Sequence, residues 1–96
     1  MSKHWKAIEG LLCRIFGGSR VGAVGDEGCD CKDTAPFAIQ VKHGKQIPKG
    51  IQKFMAQTVR DAPKGTLPTL LMHAHGAPIE ETLVVFRLGD FRGWYL

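Results

Sequence analysis

The spacing of apolar and polar positions along the chain predicts an alternation of helices and strands. Helices are indicated over residues 3–16 and 48–62, where apolar side chains recur at helical spacing; Gly17 and Gly18 end the first and Pro48 opens the second. The remaining apolar runs are short and predict strands, and the last residues predict a helical turn. These segments are residues 19–24, 36–45, 67–73 and 82–88 for the strands and 89–95 for the turn.

This order of elements, α-β-β-α-β-β-α, predicts an α/β fold in which a mixed sheet has helices on both sides. The continuous apolar run from Leu67 to His73 predicts a central strand that is buried on both faces. A chain of 96 residues is long enough for one hydrophobic core. We therefore expect a single domain over residues 1–96.

The stretch from Pro36 to Lys45 carries the most specific polar pattern. Because side chains alternate along a strand, Gln40 and Lys42 share one face, opposite the apolar residues between and before them. Three acids, Asp26, Asp30 and Asp33, crowd the preceding loop. A loop acid beside a strand that carries such a lysine is typical of a magnesium-dependent nuclease; an edge strand with one solvated face is the simpler alternative.

The charge and the cysteines add two expectations about partners and compartment. The 13 Lys and Arg residues outnumber the 9 Asp and Glu residues, which gives a net charge of +4 and suits a polyanionic partner. We expect neither a membrane span nor a signal peptide, and a cytoplasmic location. Cys13, Cys29 and Cys31 lack the spacing of a four-ligand zinc site, so we expect them to be reduced.

Two helical positions add candidate polar contacts. Lys49, Lys53 and Arg60 lie on one side of the second predicted helix, with Gln57 beside them, which suits either solvent or DNA. Glu9 lies at the edge of the apolar stripe of the first helix, where it can lean inward or remain solvated.

In their order and spacing these motifs resemble the PD-(D/E)xK nucleases, and within them the small archaeal-type Holliday junction resolvases and their phage-encoded relatives. The resemblance covers nearly the whole chain. It rests on Glu9, Gly17-Gly18-Ser-Arg-Val, the acidic loop, Phe37-Ala-Ile-Gln-Val-Lys-His43, Pro48 before a helix with Ala56-Gln57, Leu67-Pro-Thr-Leu-Leu-Met-His73 and Leu83-Val-Val-Phe-Arg-Leu-Gly-Asp-Phe91.

The resemblance implies a restriction-endonuclease-like fold with a mixed, five-stranded-type sheet flanked by helices, and it implies roles for individual residues. Asp30 matches the loop aspartate, at the spacing from Gln40 usual in such sites, with Asp26 and Asp33 as alternatives. The implied catalytic residues are Glu9, Asp30, Gln40, Lys42 and Gln57; Asp30, Gln40 and Glu9 are the implied ligands of Mg²⁺, for which Mn²⁺ can substitute. The expected DNA contacts are Arg20, Lys45, Lys49, Lys53 and Arg60.

Gln40 departs from the family pattern, which usually has Glu there. An amide carbonyl is a neutral and weaker ligand for a hard cation, although some members of the superfamily carry Gln at this position. A native Gln, an engineered inactivation and a naturally inactive DNA-binding relative are all consistent with this residue.

The sequence is therefore interpreted as a Mg²⁺-dependent endodeoxyribonuclease that resolves four-way (Holliday) junctions in branched double-stranded DNA. A homodimer is implied, since symmetric cleavage takes two sites, and a phage-encoded protein would act in the host cytoplasm. The alternatives are a non-catalytic or inactivated DNA-binding relative and a general phage nuclease that acts on nicked or flapped DNA.

Overall fold

The computed structural model describes residues 3–21 and 29–95. The chain forms two compact units, Met1–Lys45 and Gln46–Leu96. In the first unit, α1 spans Lys3–Ile15, β1 spans Ser19–Arg20 and β2 spans Cys31–Lys32. In the second unit, α2 spans Lys49–Asp61, β3 spans Leu70–Met72, a 3₁₀ turn spans Ile79–Glu81, β4 spans Leu83–Val85 and α3 spans Leu88–Trp94.

The predicted five-stranded mixed sheet is wrong. Over the described residues the strands form two separate antiparallel pairs, β1 with β2 and β3 with β4. Three of the predicted strands, 19–24, 67–73 and 82–88, each contain an observed strand, but that strand is only two or three residues long. The first predicted strand, 19–24, is a strand at Ser19–Arg20, and residues 22–24 lie outside the described residues.

Helix α1 ends where glycine permits a left-handed backbone. Gly17 has φ of +92°, and the Gly18 N–H donates to the Cys13 carbonyl at 3.0 Å, which closes the last helical turn. Strand β1 therefore begins only a few residues after the end of α1. The predicted first helix is thus confirmed, with an end close to the one that the glycine pair indicates.

Gly18 is also a point of close backbone approach. A Cβ atom at this position would overlap the Lys32 carbonyl oxygen and lie 2.7 Å from Cγ2 of Thr34. Neither backbone nor a buried threonine can move easily, because Thr34 is only 3% exposed.

We therefore expect Gly18→Ala to destabilise the first unit by about 1–3 kcal/mol or more, the usual effect of overpacking. Gly50→Ala is the matched control, because a Cβ there meets nothing within 4 Å. Alanine also favours the helix at Gly50, so the control is expected to be neutral or stabilising. Urea unfolding of both variants measures the difference, and equal stabilities would contradict the close approach at Gly18.

The core of the first unit is a small cluster that joins α1, β2 and the segment after it. Cys13, Cys31 and Val41 are buried, and Trp5, Leu12 and Ile39 pack against them. The expectation of reduced cysteines is wrong for two of the three: Cys13 and Cys31 form a disulfide, while Cys29 is free. The odd count and the Cys-x-Cys spacing gave no indication of this pairing, since residues 18 apart in sequence meet only once α1 packs on β2.

Residues 36–45 were predicted as a strand and do not form one. The segment contacts Asp30, which immediately precedes β2, in two different ways: the Ile39 carbonyl accepts from the Asp30 backbone N–H, whereas the Val41 N–H donates to the Asp30 carboxylate. A regular ladder needs backbone partners on both sides of each step. Only one of the two contacts is therefore a backbone–backbone bond, which is too few for a ladder.

The second unit combines α2, the β3–β4 hairpin and α3. Met55 on α2 is buried, and Leu70, Leu71 and Met72 of β3 lie opposite Val85, Val84 and Leu83 of β4. Phe86, Phe91 and Tyr95 stack in sequence, with ring centroids 5.3 and 5.4 Å apart, and this stack fastens α3 to the end of β4. Arg87 donates two hydrogen bonds to Asp90, which lower the pKa of that carboxyl.

The prediction that residues 67–73 form a central strand buried on both faces is also wrong. Only Leu70–Met72 is strand, and Leu71 is 63% exposed. Pro68 has no backbone N–H, so it cannot donate to a ladder in the first half of the run. An apolar run alone does not determine how many neighbours a strand acquires.

Candidate functional site around Asp30

Asp30 is held by three hydrogen bonds that fix both its backbone and its side chain. Its N–H donates to the Ile39 carbonyl at 2.8 Å, and its carbonyl accepts from the Val21 N–H at 3.0 Å. Its carboxylate Oδ2 accepts from the Val41 N–H at 2.6 Å. Asp30 thus joins the end of β1, the start of β2 and the segment that carries Gln40 and Lys42.

The alternation predicted for residues 39–42 is present although the segment is not a strand. Val41 is buried and Ile39 packs against the core cluster, while Gln40 and Lys42 are exposed. The Asp30 carboxylate accepts a hydrogen bond from the Val41 N–H. Since this N–H belongs to the peptide bond between Gln40 and Val41, the carboxylate lies next to the backbone of Gln40. The structure therefore brings the predicted loop acid to the Gln-x-Lys segment.

Helix α1 supports this segment from the other side. The ring of Trp5 lies 5.2 Å from that of His43, centroid to centroid, and the Cys13–Cys31 disulfide lies in the cluster that includes Val41. The turn before the segment is fixed as well, since the hydroxyl of buried Thr34 donates to the Phe37 carbonyl at 2.7 Å. Rigid support of this kind is what a precisely spaced polar site requires.

Glu9 is buried in an ion pair with Arg20. The Arg20 Nε lies 3.6 Å from Glu9 Oε2, and the two side chains are 28% and 9% exposed. Of the two positions left open for Glu9 by the sequence, inward or solvated, this burial corresponds to the inward one. Sequence reasoning had placed Glu9 among the metal ligands and Arg20 among the DNA contacts, and it missed that they meet.

The residues present fit the implied Mg²⁺ only in part. A carboxylate and an amide carbonyl, from Asp30 and Gln40, are hard oxygen donors of the kind that Mg²⁺ takes. Glu9 fits less well, because its carboxylate faces Arg20. Within residues 3–21 and 29–95, no three His, Cys, Asp or Glu side chains are grouped as metal ligands. Asp26, an alternative loop acid, lies outside the described residues.

The predicted basic contacts fall in both units. Lys45 is exposed in the first. In the second, Lys49, Lys53 and Arg60 are exposed on α2 and fall within about 40° of one another around the helix axis. Gln57 is exposed on the same helix, about 40° further round. The fold does not test whether these cations contact DNA or whether Gln57 has a catalytic role, so both roles stay predictions.

Comparison of the chain with known protein families, curated protein sequences and solved structures gave no match. Over the described residues, no helix is both long and apolar enough to cross a membrane.

Proposed function

We propose that this chain is a metal-dependent endonuclease that cleaves branched DNA and resolves four-way junctions. The observation that carries the proposal is the 2.6 Å hydrogen bond from the Val41 N–H to the Asp30 carboxylate. It joins a loop acid to a segment that exposes Gln40 and Lys42, which supports a site that combines these three side chains.

The chemistry of phosphodiester hydrolysis explains why these side-chain types suit the site. When bound, Mg²⁺ supplies charge stabilisation for the phosphate and a more acidic water. Asp30 and Gln40 would hold it. Lys42 is exposed two residues from Gln40, where its ammonium group can bind a non-bridging phosphate oxygen and stabilise the charge that develops there.

Branched DNA and a second copy of the chain complete the proposal. Paired cuts across a four-way junction take two active sites, and we therefore propose a homodimer. An apolar pair on the β3–β4 hairpin supports such association: Leu71 lies opposite Val84, and they are 63% and 57% exposed. Exposed apolar neighbours of this kind often belong to protein interfaces.

A second candidate function is DNA binding without catalysis. Gln40 favours it, since replacing a carboxylate by an amide removes one negative ligand from a site in which Glu9 already faces Arg20. The exposed cations on α2 suit either function. A nuclease specific for nicks or flaps is a third candidate, which differs from the first only in substrate.

Incubation of the protein with labelled four-way junction, flap, nicked duplex and linear duplex, with Mg²⁺ and with EDTA, separates these candidates. The proposal predicts Mg²⁺-dependent cutting of the junction in preference to the other three. Preferential cutting of flaps or nicks would favour the third candidate, and binding without cutting would favour the second.

The basic face of α2 gives a prediction about DNA affinity. Replacing Lys49 and Lys53 together by Ala is expected to weaken binding to all DNA shapes alike and to reduce the salt slope by about two units, one for each phosphate contact. Lys6→Ala with Lys64→Ala is the matched control, because it removes the same charge from two other exposed positions. Fluorescence anisotropy from low to moderate salt measures both slopes. Equal slopes for the two double variants would indicate that Lys49 and Lys53 are solvated and make no phosphate contacts.

A further inference from the structure

From the pairing of Glu9 with Arg20 we infer that Glu9 is a positioning residue, which orients Arg20 toward a DNA phosphate and is not a metal ligand. This inference rests on the proposed function, because it assigns the pair a task in phosphate binding. It changes the role that the sequence pattern implies for Glu9.

Alternation along the β1–β2 ladder assigns Glu9 and the Asp30 carboxylate to opposite faces of it. Arg20 lies directly opposite Cys31, and opposed residues of an antiparallel pair share a face. Cys31 is joined to Cys13 of α1, so this shared face is turned toward α1, where Arg20 meets Glu9. Asp30 immediately precedes Cys31 and by alternation belongs to the opposite face. Its carboxylate bonds the Val41 N–H instead.

The guanidinium of Arg20 lies beside Glu9 at its Nε, and the Arg20 side chain is only partly buried. Its Nε is buried and has no hydrogen-bond partner among residues 3–21 and 29–95, while 28% of the side chain is exposed. The buried Glu9 carboxylate, 3.6 Å away, holds that inner edge by charge. A guanidinium fixed in this way loses little conformational freedom when its outer nitrogens bind a phosphate, which strengthens binding.

The alternatives predict different effects of Glu9→Gln. If Glu9 only neutralises Arg20, the variant gains one positive charge over the net +4 and binds DNA more tightly. If Glu9 is a metal ligand, the variant loses affinity for the metal, and its affinity for DNA in EDTA changes only by the effect of the lost negative charge. If Glu9 positions Arg20, the variant binds DNA less tightly in EDTA and retains its metal affinity.

The test measures the affinity of a labelled four-way junction in EDTA and, separately, the affinity of the free protein for Mn²⁺. The variants are Glu9→Gln, Arg20→Gln and the two combined. Glu80→Gln is the control, because it makes the same charge change at an exposed position in the other unit. Arg20→Lys is added because it keeps the charge beside buried Glu9 if Arg20→Gln does not fold.

Arg20→Gln is expected to weaken junction binding about tenfold, the equivalent of one charge-assisted hydrogen bond. Glu9→Gln is expected to weaken it about fivefold, a partial loss of the same contact. The combined variant is expected to be no weaker than Arg20→Gln, because Glu9 acts through that residue. Arg20→Lys is expected to resemble Arg20→Gln, and Mn²⁺ affinity is expected to be unchanged by Glu9→Gln.

Three results would overturn the inference while the wild type binds the junction: tighter or unchanged binding by Glu9→Gln, lower Mn²⁺ affinity in that variant, or additive losses in the combined one. Full affinity in Arg20→Lys would overturn it too. A folded wild type that binds no junction in any salt would instead refute the proposed function, and this inference with it.

Discussion

Asp30→Asn is expected to reduce Mg²⁺-dependent junction cleavage by about a thousandfold or more, the rate equivalent of several kcal/mol of lost charge stabilisation. The fold and junction binding are expected to remain nearly intact. The Asn side-chain carbonyl can still accept the Val41 N–H, which Asp30 holds at 2.6 Å. The change therefore removes the charge and keeps the hydrogen bond. Single-turnover cleavage and binding in EDTA measure the two effects separately.

Two further variants at and near this position control the result. Asp33→Asn makes the same chemical change nearby, and the left-handed backbone at Asp33, with φ of +60°, suits asparagine. It is expected to cut like the wild type. Asp30→Ala is expected to destabilise the protein by about 1–3 kcal/mol, because it leaves a part-buried N–H without its acceptor. Full cutting by Asp30→Asn, with Asp26→Asn inactive instead, would move the loop ligand to Asp26.

If Gln40 stands where an active enzyme has Glu, Gln40→Glu is expected to tighten Mg²⁺ binding and raise junction cleavage by about two to three orders of magnitude. Two unit charges 4 Å apart attract by about 4 kcal/mol at an effective dielectric constant of about 20. Screening lowers this value, because Gln40 is exposed. The remaining gain of a few kcal/mol acts on a cation that the Asp30 carboxylate would otherwise hold almost alone.

The effect of Gln40→Glu also distinguishes a glutamine that replaces a catalytic Glu from one that is itself a competent ligand. A large increase indicates that Gln40 stands where an active enzyme has Glu. A small or negative effect indicates that the amide carbonyl is already a competent ligand. Gln46→Glu is the matched control, since it adds the same charge at another exposed position and is expected to leave metal affinity unchanged.

The helices were predictable from the sequence, because each depends on local signals. The apolar stripe and Gly17 define α1, and Pro48 precedes α2, whose cations lie opposite buried Met55. The alternation around Val41 was predictable for the same reason. A side-chain period of two is a property of extended backbone, whether or not it joins a sheet.

The sheet and the pairings across the site were not predictable, because they depend on which distant segments meet. The apolar run that contains Pro68 could not reveal that its strand has one neighbour among the described residues. The Cys13–Cys31 disulfide joins residues whose spacing has no motif. Glu9 gave one usable signal: an acid at the border of an apolar stripe needs a cation if it turns inward, and Arg20 follows closely after the helix.

The central claim is that the site around Asp30 cleaves branched DNA with a metal ion. Its most direct test is single-turnover cleavage of a labelled four-way junction across a titration of Mg²⁺ and Mn²⁺, with the wild type and Gln40→Glu side by side and Asp30→Asn as the blank. The claim predicts metal-dependent cutting by at least one of the first two forms and none by the blank. No cutting by either form at any metal concentration, while both are folded and bind the junction, would contradict it.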